Sequence, residues 1–271
     1  MNKRLLFNFI EPLIPILSSI MIASLFTSYL SMNTEPVEIV PFEGSSGTGA
    51  LMNAIYFTML TLLGGFLILL ILRHDLKLLF KLMLGFSFFL SSFTLSSYMM
   101  LFFIPIHQSM MISTIFSIAL TTSVISKRVP STVRNLSVII LSGEIGSFMG
   151  FNIPPISTFI ILSVLALYDV ISVKKGPLKG IVEFLDDKAY PFIGYSSSRV
   201  SIGMGDLVFY SMFISNVMVY FSFFAAFFTF LGLVIGIIVS FFLLEKRRTI
   251  PGLPLPILVG LLFLFIHTLV W

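Results

Sequence analysis

Lysine and arginine occur in only five places in this chain, and long apolar segments separate them. Lys3 and Arg4 open it. Arg73, Lys77 and Lys81 follow the second apolar segment, and Lys127, Arg128 and Arg134 follow the fourth. Lys174 to Arg199 follows the sixth, and Lys246, Arg247 and Arg248 follow the eighth. Basic residues collect on the cytoplasmic side of a bilayer. A chain that returns to its basic side after every second segment crosses nine times, with its N-terminus cytoplasmic and its C-terminus outside. Glu35, Glu38 and Glu43 fall in the first opposite loop, which carries no Lys or Arg. With 57% apolar and 10% charged residues, the fold class is an all-α polytopic membrane protein of nine transmembrane helices, placed in the cell membrane.

About twenty apolar residues cross a bilayer. On that basis the spans are 5–30, 50–72, 78–104, 109–126, 136–151 and 156–173, then two within 200–244, and a last one from about 253 to 271. The run 200–244 would be roughly 65 Å long as one helix, so it must turn back, and 216–222 is the expected place. The first segment lacks a small-residue cleavage site and reads as a retained span. The chain is one integral membrane domain over 1–271. Within it, spans one to six cover 1–173, a hydrophilic cytoplasmic loop covers 174–199, and spans seven to nine cover 200–271. Trp271 suits the far interface.

Absence of cysteine excludes disulfides and thiolate chemistry, and His74, His107 and His267 have no metal-ligand spacing. The net charge of +4 reports orientation in the bilayer and not nucleic-acid binding.

Four acidic residues fall inside spans: Glu11, Glu144, Asp169 and Asp206. A carboxylate in hydrocarbon is costly and needs a partner or a wet cavity. Glu11 is close enough to the basic flank to snorkel or pair locally. Glu144 sits among Gly143, Gly146 and Gly150, where a structural contact between close helices is expected. Asp169 lies about 7–8 Å of helix before Lys174, and Asp206 about 10 Å after Arg199. The two therefore share a level near the cytoplasmic face. Each also has an ordinary reading: Asp169 paired with Lys174, and Asp206 as a helix N-cap. Pro251-Gly252-Leu253-Pro254-Leu255-Pro256 opens the last span at that level. Its prolines remove N–H donors and are expected to prevent an ordinary helix start. Irregular backbone at membrane depth is tolerated where it lines a cavity or is buried in protein.

Tyr168-Asp169 in span six, Gly203-Met204-Gly205-Asp206 at span seven and Pro251-Gly252-Leu253-Pro254 at span nine resemble the YD, GxGD and PAL signatures of presenilin-type intramembrane aspartyl proteases. The nine-span layout is similar too. One departure is glycine at 252, where the family has alanine. The short loop between spans six and seven resembles a compact archaeal presenilin homologue. The basic-residue pattern favours the presenilin direction over the opposite orientation of signal peptide peptidases. The resemblance implies Asp169 and Asp206 as catalytic residues. It implies Tyr168, Gly203, Met204, Gly205, Pro251, Gly252, Leu253 and Pro254 as substrate-binding residues. Two close carboxylates share one proton, so the pair activates a water without metal or other cofactor. The implied partners are transmembrane-helix proteins or peptides, with the bilayer itself and a homo-oligomer left open. Two other readings remain: an ion- or proton-coupled transporter using the intramembrane acids, and a prepilin-type leader peptidase, which lacks the proline motif.

Overall fold

The computed structural model describes residues 3–44, 46–74, 76–126, 128–175, 194–197, 201–246 and 251–270. Among them are nine helices: α1 Lys3–Asn33, α2 Gly47–Arg73, α3 Lys77–Met100, α4 Ile106–Ile125, α5 Ser131–Asn152, α6 Pro155–Lys175, α7 Met204–Tyr220, α8 Phe223–Lys246 and α9 Pro254–Val270. Most of the expected cytoplasmic loop 174–199, Arg247 and Arg248, and Trp271 lie outside the described residues.

Five helices, α1 to α4 and α8, are long and apolar enough by themselves to cross a membrane. The apolar α7 and α9 have 17 residues each, roughly 26 Å of helix against a hydrocarbon core of about 30 Å. α5 is more polar because protein surrounds it. Its buried positions include Ser137, Ser142, Glu144, Ser147 and Asn152.

α7 is the central helix and packs against α1, α5, α6 and α8. Asn216 of α7 ties it to the end of α5, donating to the carbonyls of Gly150 at 2.9 Å and Ile153 at 2.7 Å. Those carbonyls belong to a helix C-terminus that leaves acceptors unfilled. The turn between α7 and α8 comes at Phe221–Ser222, inside the expected window. Its sequence signal is Ser222, whose Oγ accepts the Ala225 N–H at 3.0 Å as an N-cap does. α9 returns alongside α8 through Gly232 and Gly236, where backbone and side-chain atoms of Leu255, Pro256, Val259 and Phe263 fill the space a Cβ would need.

The nine-helix layout is as expected, one element is added to it and one expectation changes. The addition is an antiparallel hairpin that precedes α7. Its strands are β1 Gly194–Ser196 and β2 Ser201–Gly203, with Tyr195 opposite Ile202. The expectation that changes concerns the last span, whose prolines do not prevent a helix start. α9 begins at Pro254 and takes Pro256 into its first turn, where backbone N–H groups have no helical acceptor to lose. Only residues 251–253 remain irregular.

Candidate active site

Asp169 lies in the last third of α6 and Asp206 in the first turn of α7. Asp206 is not the N-cap. That position belongs to Gly203, in extended backbone at φ −61° and ψ 141°, so the strand β2 runs straight into the helix bearing Asp206.

Both carboxylates meet the segment 251–253. The Leu253 N–H donates to Asp169 Oδ2 at 3.1 Å. Gly252 lies against Asp206, where a Cβ would stand 2.8 Å from Oδ2 and 3.1 Å from Cγ. Glycine at 252 therefore lets this backbone close onto the carboxylate. Asp169 and Asp206 thus come to adjacent residues, Leu253 and Gly252. The alternative Lys174 partner for Asp169 has its side chain outside those described.

Tyr210, one helical turn beyond Asp206, was not singled out in the sequence. Its hydroxyl donates to the Gly252 carbonyl at 2.8 Å. The single peptide unit between Gly252 and Leu253 is thus held at its carbonyl by Tyr210 and at its N–H by Asp169. The i, i+4 spacing of Asp206 and Tyr210 on one helix face was the available signal.

A cavity of about 140 Å³ opens here, with Ser201, Ile202, Asp206, Tyr210, Pro251 and Gly252 in its lining. Gly203 and Gly205 are exposed, Pro251 and Pro254 half-buried, and Leu253 buried. Met204 turns into the hydrophobic core. Tyr168 is half-buried beside Asp169. Among the described residues no three His, Cys, Asp or Glu side chains gather as a metal site.

The other two acids lie elsewhere. Glu144 is fully buried on α5 with Ser92 of α3 as a polar neighbour. Glu11, expected to snorkel or pair locally, accepts from Ser197 Oγ at 2.7 Å, 186 residues away, and the side chains of Lys3 and Arg4 lie outside those described. Next to that contact, Asn135 of α5 bonds both backbone groups of Ser196. Its Nδ2 donates to the carbonyl at 2.8 Å and its Oδ1 accepts the N–H at 3.3 Å.

Comparison with known proteins matches residues 17–182 to the family described as signal-peptide peptidase, presenilin aspartyl protease. Residues 193–271 match the family described as presenilin. Presenilin-B of Dictyostelium discoideum is 31% identical over 126 residues, covering 42% of this chain and 26% of that protein. The chain thus spans about a quarter of that relative's length. Two solved structures of a presenilin family intramembrane aspartate protease share the fold. In the C222 crystal form the TM-score is 0.72 at 18% identity, over 97% of this chain and 99% of the other. In the P2 form it is 0.68 at 20% identity, over 95% and 96%. With more than half of its length matched to the first of these families, and its fold shared with such proteases, the chain belongs to the signal-peptide peptidase, presenilin aspartyl protease family.

Proposed function

We propose that this chain is an intramembrane aspartyl endopeptidase that hydrolyses peptide bonds in transmembrane segments, with Asp169 and Asp206 as its catalytic pair. The observation that carries the reading is that both carboxylates address one peptide unit, Gly252–Leu253, at the mouth of a cavity.

Close carboxylates do not readily ionise together, so the pair holds one proton. The ionised member takes a proton from water as the hydroxyl oxygen bonds to the scissile carbonyl carbon. The protonated member gives its proton to the carbonyl oxygen, forming a gem-diol. The proton taken from water then passes to the amide nitrogen as the C–N bond breaks, and one gem-diol hydroxyl returns its proton to the other aspartate, so the pair again holds one proton. The products are a carboxyl group and an amine, and no covalent enzyme intermediate forms.

A substrate helix must first unwind, since its backbone groups are satisfied internally and shielded by its side chains. The hairpin offers an acceptor for the freed strand. In an antiparallel ladder, backbone groups alternate between facing the partner strand and facing away. Ser196 turns both of its groups to Asn135, so Tyr195 and Ile202 face each other across the ladder. By the same alternation Ser201 turns its N–H and C=O, and Gly203 its N–H, to the outer edge of β2. An extended substrate adds there as a third strand, five residues or fewer before Asp206. Pro251 and Pro254, with Gly203 and Gly205, would line its path, and Tyr168 would flank Asp169. The N-terminus would then be cytoplasmic, and cleavage would occur near that leaflet.

The test is cleavage of a single-span model substrate by the protein reconstituted in vesicles. Cleavage is expected, with a bell-shaped dependence of kcat/KM on pH because only the singly protonated pair is active. Proton-coupled flux across the vesicles with no peptide cleaved would overturn the reading in favour of a transporter.

A further inference from the structure

We infer that Asn135 and Glu11 are positioning residues that hold the hairpin in one register and leave only its β2 edge open to substrate. This inference rests on the protease reading above and assigns the hairpin's supports within it.

A two-stranded hairpin in isolation is marginally stable at best. β1 and β2 pair over three residues each, so the ladder cannot define its own place relative to the dyad. Two helices far away in the chain supply that definition. Asn135, one turn into α5, satisfies both backbone groups of Ser196 with its amide. Its side chain thereby acts as a short piece of a third strand. Glu11 of α1 fixes the next residue by accepting from Ser197 Oγ. α1 and α5 also pack directly on α7, the helix that carries Asp206. The hairpin and the catalytic carboxylate are thus referred to one frame from two sides.

The arrangement also distinguishes the two edges. An exposed strand edge pairs with whatever extended chain reaches it. On β1 Asn135 occupies the outward groups of Ser196, and α5, which packs against this strand, covers the edge. On β2 the outward groups of Ser201 and Gly203 have no partner among the described residues, and Ser201 lines the cavity that contains Asp206. A substrate strand therefore has one edge to join. The register in which it joins decides which peptide bond reaches the carboxylates. Because backbone groups alternate along a strand, a slip of about two residues preserves the ladder and moves the cut by the same amount.

Loosening the hairpin should therefore affect where the enzyme cuts as well as how fast, which a merely stabilising contact would not do. The experiment measures KM, kcat and the distribution of cleaved bonds by mass spectrometry. It uses one single-span substrate with the wild type, Asn135→Ala, Ser197→Ala and Ser197→Thr. Asn135→Ala removes two hydrogen bonds and is expected to raise KM about tenfold. It should also spread cleavage from the main bond to bonds two residues away. Ser197→Ala, which removes the bond to Glu11, should raise KM about threefold with a smaller spread. Ser197→Thr keeps the hydroxyl donor and should restore the wild-type pattern. A wild-type cut distribution and KM in both alanine variants would overturn the inference. If thermal unfolding shows that Asn135→Ala does not fold, Ser197→Ala decides by the same criterion, since Ser197 lies outside the helix bundle. Absence of cleavage by the wild type would overturn the protease reading itself, whereas cleavage with an unchanged pattern in the variants overturns this inference alone.

Discussion

Two pairs of glycines, both inside long helices, meet opposite surroundings. At Gly64 and Gly65 on α2, an added Cβ would meet nothing within 4 Å. Around them Leu60, Leu63, Phe66 and Leu67 are exposed, as lipid-facing side chains should be. At Gly146 on α5, an added Cβ would stand 2.4 Å from Ser211 Cβ and 2.8 Å from the Val208 carbonyl oxygen. At Gly150 it would stand 2.5 Å from the Met212 carbonyl oxygen and 2.6 Å from Ser215 Cβ. Apolar character therefore says little about burial in this molecule, because lipid is as apolar as leucine. The tight contacts are made instead by small residues that let two backbones approach. The contrast concerns function as well, since the α5–α7 seam sets the position of the helix that carries Asp206.

Substitutions at these positions can break the comparison. The largest stability effect is expected for Gly146→Ala, where the obstructing atoms are backbone and Cβ and cannot swing aside. Overpacking of this kind should cost about 3 kcal/mol, read as a fall in thermal unfolding temperature in detergent. An unchanged unfolding temperature would mean that α5 and α7 are not in backbone contact. The intermediate test moves to the site. Gly252→Ala places a methyl group against the Asp206 carboxylate, with little global loss of stability. A displacement of a few tenths of an ångström at reacting groups is expected to lower kcat by about tenfold, measured on a model substrate. Full activity would show that the 251–253 backbone has room to retreat. The smallest effect is expected for Gly64→Ala, which gains about 1 kcal/mol of helix propensity at most and should leave cleavage unchanged. Loss of activity there would reveal a partner surface on α2.

The layout of the helices was legible because the bilayer imposes it. Each crossing needs a run of apolar residues, and basic loops on one side must alternate with loops poor in Lys and Arg on the other. The turn at Phe221–Ser222 was bounded by length, although its capping serine was not recognised. The level shared by Asp169 and Asp206 followed from helical rise, and the proline motif was located at the same depth. What could not be read were contacts between a side chain and distant backbone. Asn135 to Ser196 and Glu11 to Ser197 leave no periodic mark, and the i, i+4 spacing of Asp206 and Tyr210 marks a shared helix face without showing the contact to Gly252. Strands of three residues are too short to show alternation, so β1 reads as part of the loop 174–199 and β2 as the start of span seven. The prolines at 254 and 256 were read as breaking a helix, yet they occupy the turn where a missing N–H is harmless. The resemblance implies Met204 at the substrate, and its side chain is buried in the hydrophobic core, a placement that motif membership does not set.

The central claim is that Asp169 and Asp206 act as one unit on a single peptide bond. It is tested most directly by the initial rate of cleavage of one transmembrane substrate by the wild type, Asp169→Asn and Asp206→Asn at equal amounts of folded protein. Loss of either member leaves no pair to share and exchange the proton. Each variant is therefore predicted to lose roughly a thousandfold or more of the rate, with folding unchanged by thermal unfolding. Retention of substantial cleavage by either folded variant would contradict the account.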